Sequence, residues 1–146
     1  MENNQIDKDI LDVLNTDLDS VSLSKPVLPA GTYVVKCQDM KIEPSKNGNS
    51  LLRITLALAE LAYDVNGNAV RAGFPIYDIV SLTPTENYTD ADIKRRLKSI
   101  RLAFTGKYDG PFMPLDQYIG LQAKVVLKVQ PATDMYSERN AVVRYA

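Results

Sequence analysis

The sequence contains no histidine, no tryptophan and only one cysteine, Cys37. The absence of histidine excludes imidazole metal sites and catalytic triads that use a histidine base. A single cysteine can form neither an internal disulfide nor a zinc site made of several thiolates. No uninterrupted apolar run exceeds about five residues, whereas a helix that spans a bilayer needs roughly 20. We therefore expect no disulfide framework, no zinc site and no membrane-spanning helix.

The amino-terminal region has few basic residues, and the overall charge conceals this. The 146 residues carry a formal net charge of −1, and 45% of them are hydrophobic, as is usual for one globular domain. Residues 1–30 hold six acidic and two basic residues, a net charge of −4, whereas residues 31–146 hold 15 basic and 12 acidic residues, a net charge of +3. An acidic amino terminus is unlike a secretory signal peptide, so we expect a cytoplasmic location.

Residues 1–28 are predicted to form an acidic segment, helical or flexible, that precedes a domain of residues 29–146. Apolar residues recur at helical spacing between Ile6 and Val21, with aspartates among them, which is typical of an amphipathic helix. Two prolines near residue 28 end this pattern. The segment could serve as a tether, dock a partner protein or pack on the domain, and the sequence leaves these alternatives open.

Alternating apolar residues at the start of the domain predict a meander of three strands. The segments 31–42, 51–61 and 71–82 each alternate apolar and polar residues, as strands with one buried face do. An Asn-Gly turn lies in each of the two connections, and this dipeptide is the strongest short hairpin signal. We expect two consecutive hairpins.

The spacing changes to a helical period in residues 89–104, with Thr89 as the amino-terminal cap and Gly106 as the stop. Two further strands are predicted at 120–130 and 140–146. The resulting order, β-β-β-α-β-β, is that of an OB-fold, a Greek-key barrel of five strands. We therefore expect a mainly β, OB-fold-like barrel in which the face of the second and third strands binds oligonucleotides or oligosaccharides.

Few residues have a pattern typical of catalysis or metal binding. The segment DVNGN (64–68) matches the start of a calcium loop, but Ala69 and Pro75 stand where that loop needs glycine and glutamate, so a hairpin turn is favoured. Cys37 alternates onto the apolar face of its strand, which indicates a packed thiol rather than a nucleophile. We expect a protein that is not an enzyme and that binds no cofactor or metal.

Basic residues are the side chains that could contact phosphates. Between Lys94 and Lys107, six basic residues occur with no acidic one, which is typical of a solvated helix face or of a surface that binds a polyanion. Other basic residues fall on polar positions of the predicted strands and in the loops. The candidate phosphate contacts are Lys36, Arg53, Arg71, Lys94, Arg95, Lys98, Arg101, Lys124, Lys128, Arg139 and Arg144.

Single-stranded nucleic acid is also held by aromatic rings on which bases stack. Tyr77 alternates away from the apolar face of its strand, whereas Phe112 and Tyr136 lie in the two long loops. These three are the candidate stacking residues. Tyr33 and Phe104 share faces with apolar positions and are predicted to lie in the core.

The beginning and the end of the domain carry a further pattern. The stretch LPAGTYVVKCQDMKI is followed by SKNGNSLLRITLAL, and the chain closes with GLQAKVVLKVQ and YSERNAVVRY. In residues 29–62 and 119–145 the chain resembles a phage-encoded family of small OB-fold proteins from replication and recombination cassettes. The resemblance implies binding to single-stranded DNA without sequence preference. The matching positions are Pro29, Gly31, Tyr33, Asn47, Gly48, Gly120, Lys124, Lys128, Arg139, Asn140 and Val142.

Together these patterns predict a non-enzymatic protein that coats single-stranded DNA in phage replication or recombination, in the cytoplasm of the host cell. The acidic segment would compete for the DNA-binding groove or dock a phage or host replication protein. The alternative is a structural, assembly or protein-interaction module of a phage. An oligosaccharide-binding barrel is less favoured, because the tryptophan platform usual in such proteins is absent. The sequence leaves open whether the chain forms homo-oligomers and whether it prefers DNA to RNA.

Overall fold

A computed structural model describes residues 26–45, 48–134 and 137–146 of the chain. The amino-terminal helix predicted from the sequence lies outside these ranges. The elements are β1 (Gly31–Pro44), β2 (Ser50–Leu58), β3 (Ala62–Tyr63), β4 (Ala69–Val70), β5 (Pro75–Ser81), α1 (Asp90–Thr105), a short 3₁₀ helix (Leu115–Tyr118), β6 (Gln122–Gln130) and β7 (Arg139–Tyr145).

The five longer strands form one antiparallel sheet in the order β5-β2-β1-β6-β7. The prediction of a mainly β domain with one helix is confirmed, but among the described residues the five-stranded sheet does not close into the expected barrel. Strands β3 and β4 form a small separate hairpin around the second Asn-Gly turn. In that turn the Asp64 carboxylate accepts hydrogen bonds from the backbone N–H groups of Asn66 and Asn68, at 2.9 and 2.8 Å. This geometry confirms the hairpin turn that was favoured over a calcium loop.

One face of the sheet forms the hydrophobic core, together with α1 and the 3₁₀ helix. On β2, Leu52, Ile54 and Leu56 are buried at alternate positions. A β-bulge between Cys37 and Asp39 shifts the register of β1. Full burial of a large apolar side chain contributes about 1.5–3 kcal/mol. The alternation of buried apolar residues along a strand therefore determines which side chains point away from the core.

Helix α1 begins and ends where the sequence predicts. The Thr89 side chain accepts a hydrogen bond from the Asp92 N–H at 3.3 Å, and the Asp92 carboxylate accepts one from the Thr89 N–H at 2.9 Å. This reciprocal pair is a capping box. Gly106 has a φ of 71°, in the left-handed region that glycine adopts readily, and it ends the helix. The local signals for this element were therefore sufficient.

The edge strands β5 and β7 are linked through side chains. Asp78 of β5 is buried and accepts hydrogen bonds from Arg96 of α1 at 2.6 Å and from the Tyr145 hydroxyl of β7 at 3.0 Å. Burial and the adjacent Asp78 carboxylate raise the pKa of Tyr145 well above its usual value, so its hydroxyl stays protonated and donates. Between the described residues of β5 and β7 there is no backbone ladder. The network fixes α1 to both edges of the sheet.

The packed domain includes residues that composition assigned to the acidic segment. Val27 and Leu28 are buried. Asn140 of β7 accepts a hydrogen bond from the Leu28 N–H and donates one to the Leu28 carbonyl, both at 2.8 Å. The Val65 N–H donates to the Val27 carbonyl at 2.8 Å. The change in composition near residue 28 therefore does not coincide with the edge of the packed structure.

Candidate nucleic-acid interface

The outer face of the sheet, opposite the core, carries basic side chains on β1, β6 and β7. The register of β1 with β6 places Lys36 diagonally across from Lys124. The register of β6 with β7 places Arg144 diagonally across from Lys124 on its other side, and Lys128 continues the same face of β6. All four side chains are exposed, and none forms an ion pair with another described residue. We call these four residues the sheet stripe.

The spacing within the sheet stripe favours an anionic ligand. Diagonal neighbours on adjacent strands lie about 7–8 Å apart, within reach of long side chains. Like charges at this separation repel one another where no acid lies between them. A chain of phosphates laid across the strands would offset that repulsion and release the counterions of both partners.

Arg53 also lies on the outer face, but it is paired. Its Nε donates to the Glu43 carboxylate, and the Lys41 Nζ lies 3.7 Å from the other oxygen of that carboxylate. The hydrogen bond from Arg53 and the two positive charges lower the pKa of Glu43, so that this carboxylate stays ionised. A phosphate at Arg53 would have to compete with Glu43.

The edge strand β5 adds an apolar and aromatic part to the outer face. Tyr77 and Ile79 are 53% and 48% exposed. This outcome confirms that Tyr77 and Ile79 alternate away from the core, as the strand pattern predicts. A groove of about 830 Å³ lies beside them, lined also by Phe74 of the preceding turn and by Arg139 at the start of β7. It has room for a base stacked on Tyr77 with a cation nearby.

Three other predicted contacts lie outside the sheet stripe. Arg139 lines the groove and donates to the Ser137 carbonyl at 3.4 Å. Arg71 is exposed in the turn before β5, outside the ladder. Tyr136 lies outside the described residues, so its stacking role stays a prediction.

The basic residues near the start of α1 are paired within the helix. The Lys94 Nζ lies 2.7 Å from Asp90, and the Arg95 Nη1 lies 2.7 Å from Asp92. The hydrogen bond from Lys94 to Asp90 raises the pKa of Lys94. The hydrogen bonds from Thr89, followed by that from Arg95, lower the pKa of Asp92. Lys94 and Arg95 are therefore less available to a phosphate than the sheet stripe.

The prediction that Arg101 lies on the exposed face of the helix is wrong. Its side chain is 5% exposed, and its guanidinium donates to the Tyr108 carbonyl in the loop after α1. Arg101 stands four residues after Leu97 and three before Phe104, positions that are neighbours on a helix surface. This spacing at the edge of the apolar face is the sequence signal that could have identified it. Lys98 is exposed, as predicted.

Phe112 packs against the core and so does not present both ring faces to a base. Its ring stacks on Tyr118, with centroids 4.7 Å apart and planes inclined by 25°. Tyr108, in the same loop, is 65% exposed and is the more accessible ring. Both rings lie in this loop by their position in the sequence, but the sequence alone does not show that the 3₁₀ helix covers Phe112 and leaves Tyr108 exposed.

Cys37 is buried, and burial followed by the charge of Asp39 raises the pKa of its thiol to about 11, which confirms a packed thiol. In the part of the chain that the structure describes, no group of acidic or cysteine side chains converges as a metal site would. None of its helices is long and apolar enough to cross a membrane.

Comparison with protein-family models and with curated proteins finds no match to this chain.

Proposed function

We propose that this domain binds single-stranded DNA without sequence preference across the outer face of its sheet. The observation that carries the proposal is the sheet stripe. Its four exposed cations have no described ion-pair partner and lie on the same outer face as the exposed ring of Tyr77. Dispersed along the sequence, these side chains are assembled by strand register.

The two parts of this surface match the two repeating features of a single strand. Cations contact phosphates, and each contact releases condensed counterions. An aromatic ring stacks on a base and contributes about 1–3 kcal/mol per base. Every nucleotide carries a phosphate and a planar base, so neither contact depends on sequence. A duplex hides its base faces, so stacking on Tyr77 favours single strands.

The architecture supports an OB-type barrel as the scaffold, which is part of the proposal. The first long strand, β1, pairs with both β2 and β6, and α1 lies between β5 and β6 in the chain. The edges β5 and β7 approach closely enough for the hydrogen bond between Asp78 and Tyr145. In a partly open OB barrel these two strands would be the ones that close the sheet.

A role in phage DNA replication or recombination follows from the family resemblance of residues 29–62 and 119–145, and it too is a proposal.

The acidic residues 1–25 would compete with DNA for the sheet stripe or dock a replication protein. Deleting residues 1–25 keeps the packed Val27 and Leu28 and, under the competitive role, tightens DNA binding at low salt. An unchanged affinity would exclude competition.

The direct test is fluorescence anisotropy of labelled oligo-dT, titrated with protein at several salt concentrations. If four cations each contact a phosphate, the logarithm of the affinity should fall with the logarithm of salt concentration with a slope of about −3. A duplex of the same length should bind more weakly. No binding at about 50 mM salt would contradict the proposal.

That negative result would favour the second candidate, a protein-interaction module. One observation supports this candidate: the groove beside β5 is lined largely by apolar side chains, among them Pro26, Phe74 and Ile79. An extended peptide could bury such a surface. Its binding would depend only weakly on salt, because apolar contacts are not screened as charges are.

A further inference from the structure

We propose that the cavity between α1 and the following loop binds a phosphate monoester carried by a nucleoside, that is, a nucleotide. The cavity has a volume of about 330 Å³, and its walls include Leu97, Lys98, Arg101, Tyr108 and Phe112. None of the residues that line it belongs to the sheet stripe or to the groove beside β5. The proposal therefore goes beyond the binding of a strand to the sheet.

The first reason is an uncompensated buried charge. Arg101 is 5% exposed, yet no described carboxylate forms an ion pair with it. Its only described acceptor is the Tyr108 carbonyl, and its Nε has no hydrogen-bond partner among the described residues. Burying a guanidinium without a counter-ion is unfavourable. An anion in the cavity would supply that counter-ion.

The second reason is that lysines also line the cavity. Lys94 is paired with Asp90, so Lys98 is the second cation that is available to an anion. Lys98 also has no carboxylate partner among the described residues, and its Nζ lies 4.4 Å from the centre of the Tyr108 ring. A phosphate monoester carries about −1.5 to −2 charges at neutral pH, which matches two cations better than the single charge of a diester. Asp109 also lines the wall, and its charge opposes the anion.

The third reason is the ring at the mouth of the cavity. Tyr108 is 65% exposed and can stack on a planar base. The volume is at the lower end of the range for ligand sites, about 300–1,000 Å³. The combination of a ring with two cations fits a nucleotide better than inorganic phosphate, which has no planar part.

A nucleotide could come from two sources, free in solution or at the phosphorylated end of a DNA strand. Isothermal titration calorimetry on the full chain distinguishes them. One arm uses dTMP, with thymidine and inorganic phosphate as reference ligands. The other compares oligo-dT that carries a 5′-phosphate with the same strand ending in a 5′-hydroxyl. If dTMP binds and the 5′-phosphate gives the strand no advantage, the cavity takes free nucleotides. If the strand with the 5′-phosphate binds more tightly than the strand with the 5′-hydroxyl, the cavity takes strand ends.

The decisive variants change exposed charges and leave the buried Arg101 in place. Lys98→Met should weaken dTMP binding about tenfold, because it removes one charge-assisted contact. Asp109→Asn should tighten it, because it removes the opposing charge. Lys107→Met is the matched control. Lys107 is exposed in the loop that follows α1 but does not line the cavity, so its replacement should leave the dTMP affinity unchanged.

The proposal is overturned if millimolar dTMP gives no binding and the 5′-phosphate gives no advantage. It is also overturned if Lys98→Met and Lys107→Met bind dTMP equally well. The variant Lys36→Ala/Lys124→Ala should keep full dTMP affinity, since neither residue lines the cavity. Loss of oligo-dT binding in that variant tests the sheet proposal separately.

Discussion

Helix α1 and the outer face of the sheet are both rich in basic side chains, but the two regions use them differently. In α1, Lys94 and Arg95 are bonded to acids of the same helix, Arg96 to the buried Asp78, and Arg101 to a loop carbonyl. The cations of the sheet stripe have no described partner. Most basic side chains of α1 are therefore held by acceptors within the protein, and Lys98, which lines the cavity, is the one with no described acid or carbonyl acceptor. The cations scattered along the strands are the ones left available for a strand of DNA.

The largest expected effect comes from breaking the pairing on the helix side. Asp78→Ala leaves the Arg96 guanidinium without its acid and the Tyr145 hydroxyl without its acceptor. Removing one partner of a buried pair costs about 3–5 kcal/mol. Urea unfolding followed by circular dichroism should show that loss.

Tyr145→Phe is the matched control in the same network, because it removes one hydrogen bond and keeps the ion pair. It should cost about 1 kcal/mol. If Asp78→Ala were no more destabilising than Tyr145→Phe, the pairing of Arg96 with Asp78 would not be what fixes α1 to the sheet.

The ends of α1 and the outward direction of Tyr77 could be predicted from the sequence, because both depend on neighbouring residues. Thr89, Asp92 and Gly106 define α1 through contacts within a few residues, and strand alternation separates Tyr77 from the core. Alternation also places Asp78 between the buried Ile76 and Val80, and a buried acid needs a partner.

The partners themselves could not be predicted, because they depend on tertiary packing. Arg96 reaches Asp78 across 18 residues, and Leu28 bonds to Asn140 across 112. The sheet stripe depends on the register that places Lys36 diagonally across from Lys124, and neither segment specifies that register by itself. Composition therefore gave the helix run and the strand cations the same expected role.

The second prediction removes two cations from each region. Lys36→Ala/Lys124→Ala should weaken oligo-dT binding about 25-fold at 100 mM salt and make the salt slope shallower by about 1.4, since two phosphate contacts are lost. Lys94→Ala/Arg95→Ala removes the same formal charge from paired positions and should change affinity less than about twofold. Anisotropy titrations with 5′-hydroxyl oligo-dT measure both.

Equal losses in these two double variants would contradict the comparison, because charge alone would then decide binding. A larger loss of affinity in the helix variant would indicate that the DNA binds to α1 and not to the sheet.

The third prediction concerns the ring on the same outer face. Tyr77→Ala should weaken oligo-dT binding about tenfold with little change in salt slope, because stacking contributes about 1–3 kcal/mol per base and is not ionic. Tyr63→Ala on the β3–β4 hairpin is the matched control, since Tyr63 is similarly exposed, at 58% against 53%. An equal loss in both variants would mean that Tyr77 has no specific role.

The smallest effect should come from the exposed pairing at the start of α1, and it depends on pH. Hydrogen bonds from Thr89 and Arg95 lower the pKa of Asp92 below its ordinary value of 3.8. A carboxyl whose pKa is lowered by folding stabilises the protein above its unfolded pKa, and that contribution is lost as the pH falls through the folded value. Asp92→Asn should therefore be slightly less stable than the wild type at pH 7, and the difference should disappear near pH 2.

Urea midpoints at the two pH values measure this, with Asp116→Asn as a control at an exposed acid that has no described ion pair. A difference that persists at pH 2 would show that Asp92 acts through its shape and not its charge, and the pairing of Arg95 would then not explain why the helix run is less available than the sheet stripe.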